Sequence, residues 1–140
     1  MILDIKKYDV KSNRKYPLYL SKISAGFPSP ADDYIEKSID LNEYLINHPA
    51  STFFVRVKGD SMINAGIQNG SVLIVDRSLE AINNKIIVAV LNGEFTVKRI
   101  KKYNGSLFLI AENPNYSPIE VTSNMDFEVW GVVVHVIHSV

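Results

Sequence analysis

The chain has 140 residues, of which 46% are hydrophobic and 21% charged, a composition typical of a folded globular protein rather than a disordered or fibrous one. It has no cysteine, which excludes disulfides, thiolate metal sites and a cysteine nucleophile. The formal net charge is zero. No segment is apolar enough to span a bilayer or resembles a signal peptide, so we expect a cytoplasmic protein that does not associate with membranes.

The N-terminal segment differs from the remainder in charge and in pattern. Residues 1–30 carry six basic and two acidic side chains, whereas residues 31–140 carry nine basic and thirteen acidic ones. The acidic remainder predicts little or no direct DNA binding. Residues 1–40 have weak periodicity, and the prolines of Gly26-Phe27-Pro28-Ser29-Pro30 hold the backbone extended, so we expect residues 1–40 to form a flexible arm. Such a segment suits the cleft of a protease, although a plain linker has the same composition.

Residues 41–140 are expected to form one core domain, which begins with a short helix. Residues 41–48 have apolar side chains at helical spacing. Asp40 is suited to cap the start of this helix and Pro49 to close its end.

Beyond residue 50 the pattern is that of short β-strands joined by polar turns. Asn92-Gly93 between two β-prone runs indicates a hairpin, because a type I′ turn needs positive φ at both positions. The pattern predicts a mainly β fold with a compact, antiparallel, partly closed, barrel-like body. The predicted strands are residues 52–57, 72–75, 85–91, 94–100, 107–111 and 127–137.

Two positions carry candidate chemistry. Ser61 lies in Gly59-Asp60-Ser61-Met62, a turn after the predicted strand 52–57, where a serine hydroxyl can face a substrate and its backbone N–H can bind an oxyanion. Lys98 shares a strand face with Thr96. If that face is buried, desolvation lowers the pKa of the lysine, and a neutral amine can accept the proton of a serine hydroxyl. Taken singly, each residue is more commonly an ordinary turn serine or a solvated lysine.

Other kinds of site find little support in the sequence. The histidines His48, His135 and His138 have no metal-ligand spacing, and no glycine-rich phosphate loop is present. We therefore expect neither a metal site nor a bound cofactor.

Three motifs together resemble those of the self-cleaving LexA/UmuD family of serine peptidases. They are Ala25-Gly26-Phe27-Pro28-Ser29-Pro30, Gly59-Asp60-Ser61-Met62 and Glu94-Phe95-Thr96-Val97-Lys98-Arg99, and weaker similarity covers nearly the whole chain. The resemblance implies a LexA-like and signal-peptidase-like β fold, with Ser61 as nucleophile and Lys98 as general base. It also implies that the bond between Ala25 and Gly26 is cleaved. Thr96 and Met62 are candidate supporting residues, with Thr96 placed to orient the lysine amine.

The same resemblance implies a function in the SOS response to DNA damage. The RecA–single-stranded-DNA filament would stimulate self-cleavage, and the product would join UmuC as the accessory subunit of the error-prone translesion DNA polymerase V. Contacts with the replicative DNA polymerase and its clamp are further expectations. A homodimer is also expected, because the apolar segment 127–137 would be a hazard at an exposed sheet edge.

Three other functions would fit parts of this pattern. A non-enzymatic β-barrel interaction module would use the arm as a docking peptide and would never cleave itself. A LexA-type repressor fragment is disfavoured, because the residues before the cleavage motif contain no helix-turn-helix. A signal peptidase shares the serine-lysine chemistry but carries a membrane anchor. Cleavage within one chain and cleavage between two chains both remain open.

Overall fold

The computed structural model describes residues 2–9, 14–19, 25–26 and 35–140. The chain forms two compact units. Residues 1–8 and 48–140 form the larger one, which we call the body, and residues 9–47 form the smaller one, which we call the linker unit. The chain thus begins in the body, leaves it after Tyr8 and returns at His48.

The body contains one eight-stranded sheet in the order β1-β4-β5-β10-β6-β7-β8-β9, and every neighbouring pair is antiparallel. Its strands are β1 (Ile2–Lys7), β4 (Thr52–Val57), β5 (Val72–Asp76), β6 (Ile86–Leu91), β7 (Glu94–Tyr103), β8 (Ser106–Ile110), β9 (Ile119–Val121) and β10 (Phe127–Ile137). The linker unit contains the two-stranded sheet of β2 (Lys15–Tyr19) and β3 (Ile35–Asp40), followed by the helix α1 (Leu41–Leu45). The mainly β, antiparallel fold is confirmed.

Two apolar clusters form the core of the body. The first contains Val55 and Val57 of β4 together with Met62 and Ile67 from the loop that follows β4. The second is centred on Ile87 of β6 and on residues of β7, β8 and β10. The members of the first cluster are at most 5% exposed, and burying each such side chain contributes about 1.5–3 kcal/mol. The first cluster therefore fixes the loop that carries Ser61 against the sheet.

The hairpin between β6 and β7 is confirmed in detail. Asn92 and Gly93 have φ angles of 50° and 81°, the positive values that a type I′ turn requires. The following strand continues to Tyr103, three residues beyond the predicted end, because β8 pairs with it as far as Tyr103 and Ser106.

The argument that residues 127–137 would form an exposed edge is wrong. These residues form β10, which lies between β5 and β6 in the interior of the sheet. Their Val and Ile content suits a strand that is paired on both sides, and its centre at Gly131 and Val132 is buried. The edge strands of the sheet are instead β1 and β9.

The helix α1 ends at Leu45, earlier than the predicted residue 48. Its start is as predicted, because the Asp40 side chain accepts a hydrogen bond of 2.8 Å from the Asn42 N–H. Ile46 is already extended, with φ −123° and ψ 105°. The chain then turns towards Thr52, whose hydroxyl donates to the His48 carbonyl at 2.7 Å, so the helical path stops before Pro49.

In the described residue ranges, no helix is long and apolar enough to cross a membrane.

Candidate active site

Ser61 lies in the turn that directly follows β4. Gly59 has φ 102°, a conformation that side chains other than glycine rarely adopt, and its N–H donates to Asn69 at 2.9 Å. Met62 is 2% exposed and belongs to the first core cluster. One side of the turn is therefore anchored in the core, while the neighbouring Ser61 remains partly accessible.

Lys98 of β7 extends its amine to this serine. Its Nζ lies 3.3 Å from Ser61 Oγ, 2.9 Å from Thr96 Oγ1 and 3.1 Å from the Val97 carbonyl oxygen. The side chain is buried, with the residue only 9% exposed. The structure thus brings together the predicted Ser61, Lys98 and Thr96.

Burial lowers the pKa of Lys98 below its ordinary value, because desolvation disfavours the charged ammonium. No carboxylate in the described part of the chain forms an ion pair with Lys98. A neutral amine has two hydrogens and one lone pair. Thr96 and Val97 can accept the two hydrogens, which leaves the lone pair directed at the Ser61 hydroxyl.

The predicted supporting residue Met62 lies behind the turn rather than beside the amine. Its sulfur accepts a hydrogen bond of 3.3 Å from the Glu112 N–H. This contact belongs to a loop whose residues 113–119 support the family resemblance but were assigned no role at the site.

Residues 112–116 form this loop, which we call the clasp. The buried Asn113 donates from Nδ2 to the Asp60 carbonyl at 2.9 Å. The hydroxyl of Tyr116 donates to the Asp60 carboxylate at 2.6 Å, which raises the pKa of Tyr116 through that hydrogen bond and the adjacent negative charge. The Asn64 N–H donates to the Glu112 carbonyl at 2.9 Å. The clasp therefore holds the turn on both sides of Ser61.

The clasp also holds the strand that carries the lysine. The carboxylate of Glu112 pairs with the guanidinium of Arg99, the residue after Lys98. A single loop is thus bonded to both elements whose separation determines the distance between Ser61 and Lys98. Asparagine followed by proline at residues 113–114 signals a turn, but nothing in that signal identifies its partner as Asp60.

A groove of about 590 Å³ opens beside Lys98 and Thr96. Its apolar lining includes Ile2, Phe95 and Ile119, and Tyr116 also faces it. Because Ile2 of β1 and Lys98 of β7 line one groove, the sheet curls enough to bring these strands close together. A shallow depression of about 10 Å³, lined by Gly59, Ser61 and Val97 among others, adjoins the serine.

Ala25 and Gly26 are both exposed and form a bend in the linker unit. Residues 27–30, the rest of the predicted cleavage motif, lie outside the described residues. So do residues 20–24, which precede the motif.

A serine, a histidine and an aspartate also meet elsewhere in the body, but not as a catalytic triad. Asp76 accepts hydrogen bonds from His48 Nδ1 at 2.5 Å and from Ser51 Oγ at 2.7 Å. The serine hydroxyl bonds to the carboxylate and to the backbone carbonyl of His48 rather than to the imidazole, so it has no histidine base. Within the described ranges, no cluster of His, Asp or Glu side chains could hold a metal ion.

Comparisons with known proteins add an independent finding. A family model described as Peptidase S24-like matches residues 17–134. Protein ImpA of Escherichia coli is 44% identical over 123 residues, which cover 87% of this chain and 83% of ImpA. Protein MucA of Salmonella typhimurium is 42% identical over 127 residues, covering 85% of this chain and 82% of MucA. A LexA repressor of Bordetella parapertussis is 37% identical over 120 residues, which cover 86% of this chain but 55% of the repressor.

Proposed function

The chain belongs to the S24-like peptidase family, and we propose that it is a self-cleaving protein of SOS mutagenesis in which Ser61 and Lys98 cleave the bond between Ala25 and Gly26. The single observation that carries this proposal is the buried amine of Lys98, whose Nζ lies 3.3 Å from Ser61 Oγ. That distance is within reach of a direct proton transfer after a small approach. Membership of the family makes the chain a serine peptidase, and its similarity to ImpA, MucA and SamA places it with the UmuD-type proteins.

The first half of the reaction forms an ester. The lone pair of neutral Lys98 takes the Ser61 hydroxyl proton as Oγ bonds to the Ala25 carbonyl carbon. The carbonyl electrons move to oxygen, and the Ser61 backbone N–H stabilises the resulting oxyanion. When the carbonyl re-forms, the bond to Gly26 nitrogen breaks, and the Lys98 ammonium gives its proton to that nitrogen as it leaves as a new amino terminus.

The second half restores the enzyme. Lys98, neutral again, takes a proton from water as the water oxygen attacks the ester carbon. The ester bond breaks, Ser61 Oγ regains a proton from the ammonium, and the new Ala25 carboxylic acid releases the second proton of the water to solvent as it becomes a carboxylate. Thr96 keeps the amine orientated throughout, because its hydroxyl oxygen accepts one of the amine hydrogens at 2.9 Å.

We further propose the partners and the division of the chain that accompany this chemistry. The arm of residues 1–40 contains the cleaved bond, and residues 41–140 form the catalytic core. The RecA–single-stranded-DNA filament stimulates cleavage, and the product joins UmuC as part of polymerase V and contacts the replicative DNA polymerase and its clamp. These assignments rest on the similarity to UmuD-type relatives.

Intact mass after incubation at alkaline pH, with and without an activated RecA filament, tests the cleavage. The wild-type chain should lose residues 1–25, whereas Ser61→Ala and Lys98→Ala should stay intact. Lys101→Ala is the matched control, because Lys101 is an exposed lysine on the same strand, and it should cleave as wild type does. Cleavage of Ser61→Ala, or an intact wild-type chain beside an active filament, would overturn the proposal.

A further inference from the structure

The first strand of the sheet lies on the N-terminal side of the proposed cleavage site. β1 pairs antiparallel with β4, with Ile5 opposite Val55 and Asp4 opposite Arg56, and it forms one edge of the eight-stranded sheet. Residues 1–25 would therefore take β1 with them when the bond between Ala25 and Gly26 is cut. The loss of β1 with residues 1–25 rests on the proposed function.

The contacts that β1 makes with the rest of the body are those of a peptide bound to a sheet edge. Ile2 and Ile5 pack against the first core cluster. Beyond the strand, Tyr8 is 8% exposed and its N–H donates to the Thr52 carbonyl at 2.9 Å. Its ring lies edge-on to Phe54, with the ring centroids 5.8 Å apart. Residues 2–8 are thus held by ladder hydrogen bonds and by three apolar anchors.

Loss of this peptide would change the body at a defined place. Val55 and Val57 of β4 are 0% and 4% exposed with β1 present. Without β1, the backbone N–H and C=O groups of β4 that it now pairs would be unpaired, and the side of the core cluster under Ile2 and Ile5 would be open. An unpaired edge strand beside apolar surface is a template for another extended chain.

We propose that residues 2–8 are a built-in competitor for the β4 edge, and that self-cleavage frees this edge for an extended segment of a partner protein. The pattern of β1 defines the partner segment. It has apolar side chains at the positions of Ile2 and Ile5, an acidic residue at the position of Asp4 and an aromatic ring at that of Tyr8. An acidic residue suits this position because Arg56 lies opposite it in the strand register and opposite charges across two strands are favourable; in the chain itself Asp4 pairs with Lys6 at 3.6 Å, and Arg56 donates to the Gly70 carbonyl at 3.0 Å.

The competition is strong before cleavage and weak after it. A strand tethered within one chain competes at an effective concentration in the millimolar range, so a partner segment at micromolar concentration is excluded. After cleavage, the same strand is a free peptide that dilutes away. The cut itself is therefore the switch, and the body needs no rearrangement.

The test separates this inference from the peptidase chemistry. Ser61→Ala, which is unable to cleave itself under the proposed function, receives a recognition sequence for an unrelated site-specific protease between Gly26 and Phe27. That protease then makes the cut, so failure of the Ser61–Lys98 reaction leaves the test intact. The probe is a fluorescent synthetic peptide of residues 1–9.

The probe peptide should bind the cut and diluted protein with at least tenfold higher affinity than the uncut protein, measured by fluorescence anisotropy. A peptide with Ile5→Asp should lose this binding, and a peptide with Asp4→Lys should bind several-fold more weakly. Equal binding to cut and uncut protein, or equal binding of the Ile5→Asp peptide, would overturn the proposal.

Hydrogen exchange in the same samples provides a second readout. The amides of β4 that point towards β1 should lose protection at least tenfold on cutting and dilution, and the probe peptide should restore it, whereas amides that point towards β5, such as the Val57 N–H bonded to the Ser71 carbonyl, should stay protected. The protection of the amides in the interior strand β6 should change less than twofold, as expected if the body stays folded. Unchanged protection of the β4 amides that point towards β1 would contradict the proposal. So would a rise in mass of the cut protein above that of the uncut protein without peptide, because the freed edge would then bind a second copy.

Discussion

The amine of Lys98 meets three oxygen atoms in a buried position, at distances of 2.9, 3.1 and 3.3 Å. Two of them belong to β7 itself, namely Thr96 and Val97, so the orientation of the amine is set locally by the strand. The third belongs to Ser61, which reaches the lysine from a different part of the chain. The geometry of the pair therefore depends on whatever holds the serine turn against β7, and that is the clasp.

Truncating the centre of the clasp tests this dependence. In Asn113→Ala, the Asp60 carbonyl loses its 2.9 Å hydrogen bond. The turn then gains freedom, and the loss of about 1–3 kcal/mol for a buried hydrogen bond corresponds to a roughly 5-fold to 150-fold slower cleavage. Asn115→Ala in the same loop is the matched control, because Asn115 is exposed and its bond to Asn113 uses its backbone N–H. The first-order cleavage rates of both variants are measured by intact mass. Equal rates in the two variants would show that the clasp does not position Ser61.

Among the strands, local pattern predicted identity and bounds well but sheet position poorly. Residues 52–57 and 127–137 form strands with the predicted limits, because β-branched and aromatic runs between turns are local signals. The dipeptide Asn92-Gly93 predicted the hairpin between β6 and β7 correctly for the same reason. That residues 127–137 lie in the sheet interior depends on β5 and β6, and no local pattern contains that information. The same holds for β1, which is defined by pairing with the distant strand β4.

At the site, the sequence motifs identified Ser61 and Lys98, and their expected proximity agrees with the structure, whereas Glu112 and Asn113 were missed. The roles of the first two remain proposals. The missed pair acts through backbone groups and through Arg99, and such contacts exist only once the chain has folded. Helix α1 ends early in part for a similar reason: His48 bonds to Asp76 far along the chain, while its carbonyl accepts a local hydrogen bond from Thr52, and the chain from Ile46 onward is no longer helical.

The end of β5 carries a buried carboxylate that stabilises the entry of the chain into the body. Burial alone would raise the pKa of Asp76, but hydrogen bonds from Ser78, Ser51 and His48 outweigh it and lower the pKa to about 2. A depressed carboxylate pKa stabilises the fold above the unfolded pKa of 3.8, and the contribution is lost as the pH falls through about 2.

Asp76→Asn should therefore lower the free energy of unfolding by about 2 kcal/mol at pH 7 and by about half as much at pH 3. Urea unfolding at the two pH values measures this difference. Asp126→Asn is the control, because Asp126 is exposed and its replacement should cost less than about 0.5 kcal/mol. A cost for Asp76→Asn that does not shrink at pH 3 would show that the carboxylate charge is not what stabilises the body.

For the whole molecule, we propose a homodimer on the similarity to UmuD-type relatives, now without the edge-strand argument. Sedimentation equilibrium at micromolar concentration should give about twice the 15.7 kDa chain mass. Val134 and Ile137 on β10 are 36% and 49% exposed and are apolar surface that a second copy would cover. The mass should be the same for Ser61→Ala, since assembly does not need cleavage. A single species of 15.7 kDa at these concentrations would contradict the homodimer.

The dependence of the cleavage rate on pH tests the central claim, that a neutral Lys98 activates Ser61, most directly. Only the deprotonated amine can accept the serine proton, and burial lowers the pKa of Lys98. The logarithm of the first-order rate should therefore rise with a slope of one and level off below pH ~10.4, the ordinary value for lysine. Lys101→Ala should follow the same curve, and Lys98→Ala should show no cleavage across the range. A rate that does not change with pH, or a Lys98→Ala variant that follows the wild-type curve, would contradict the account.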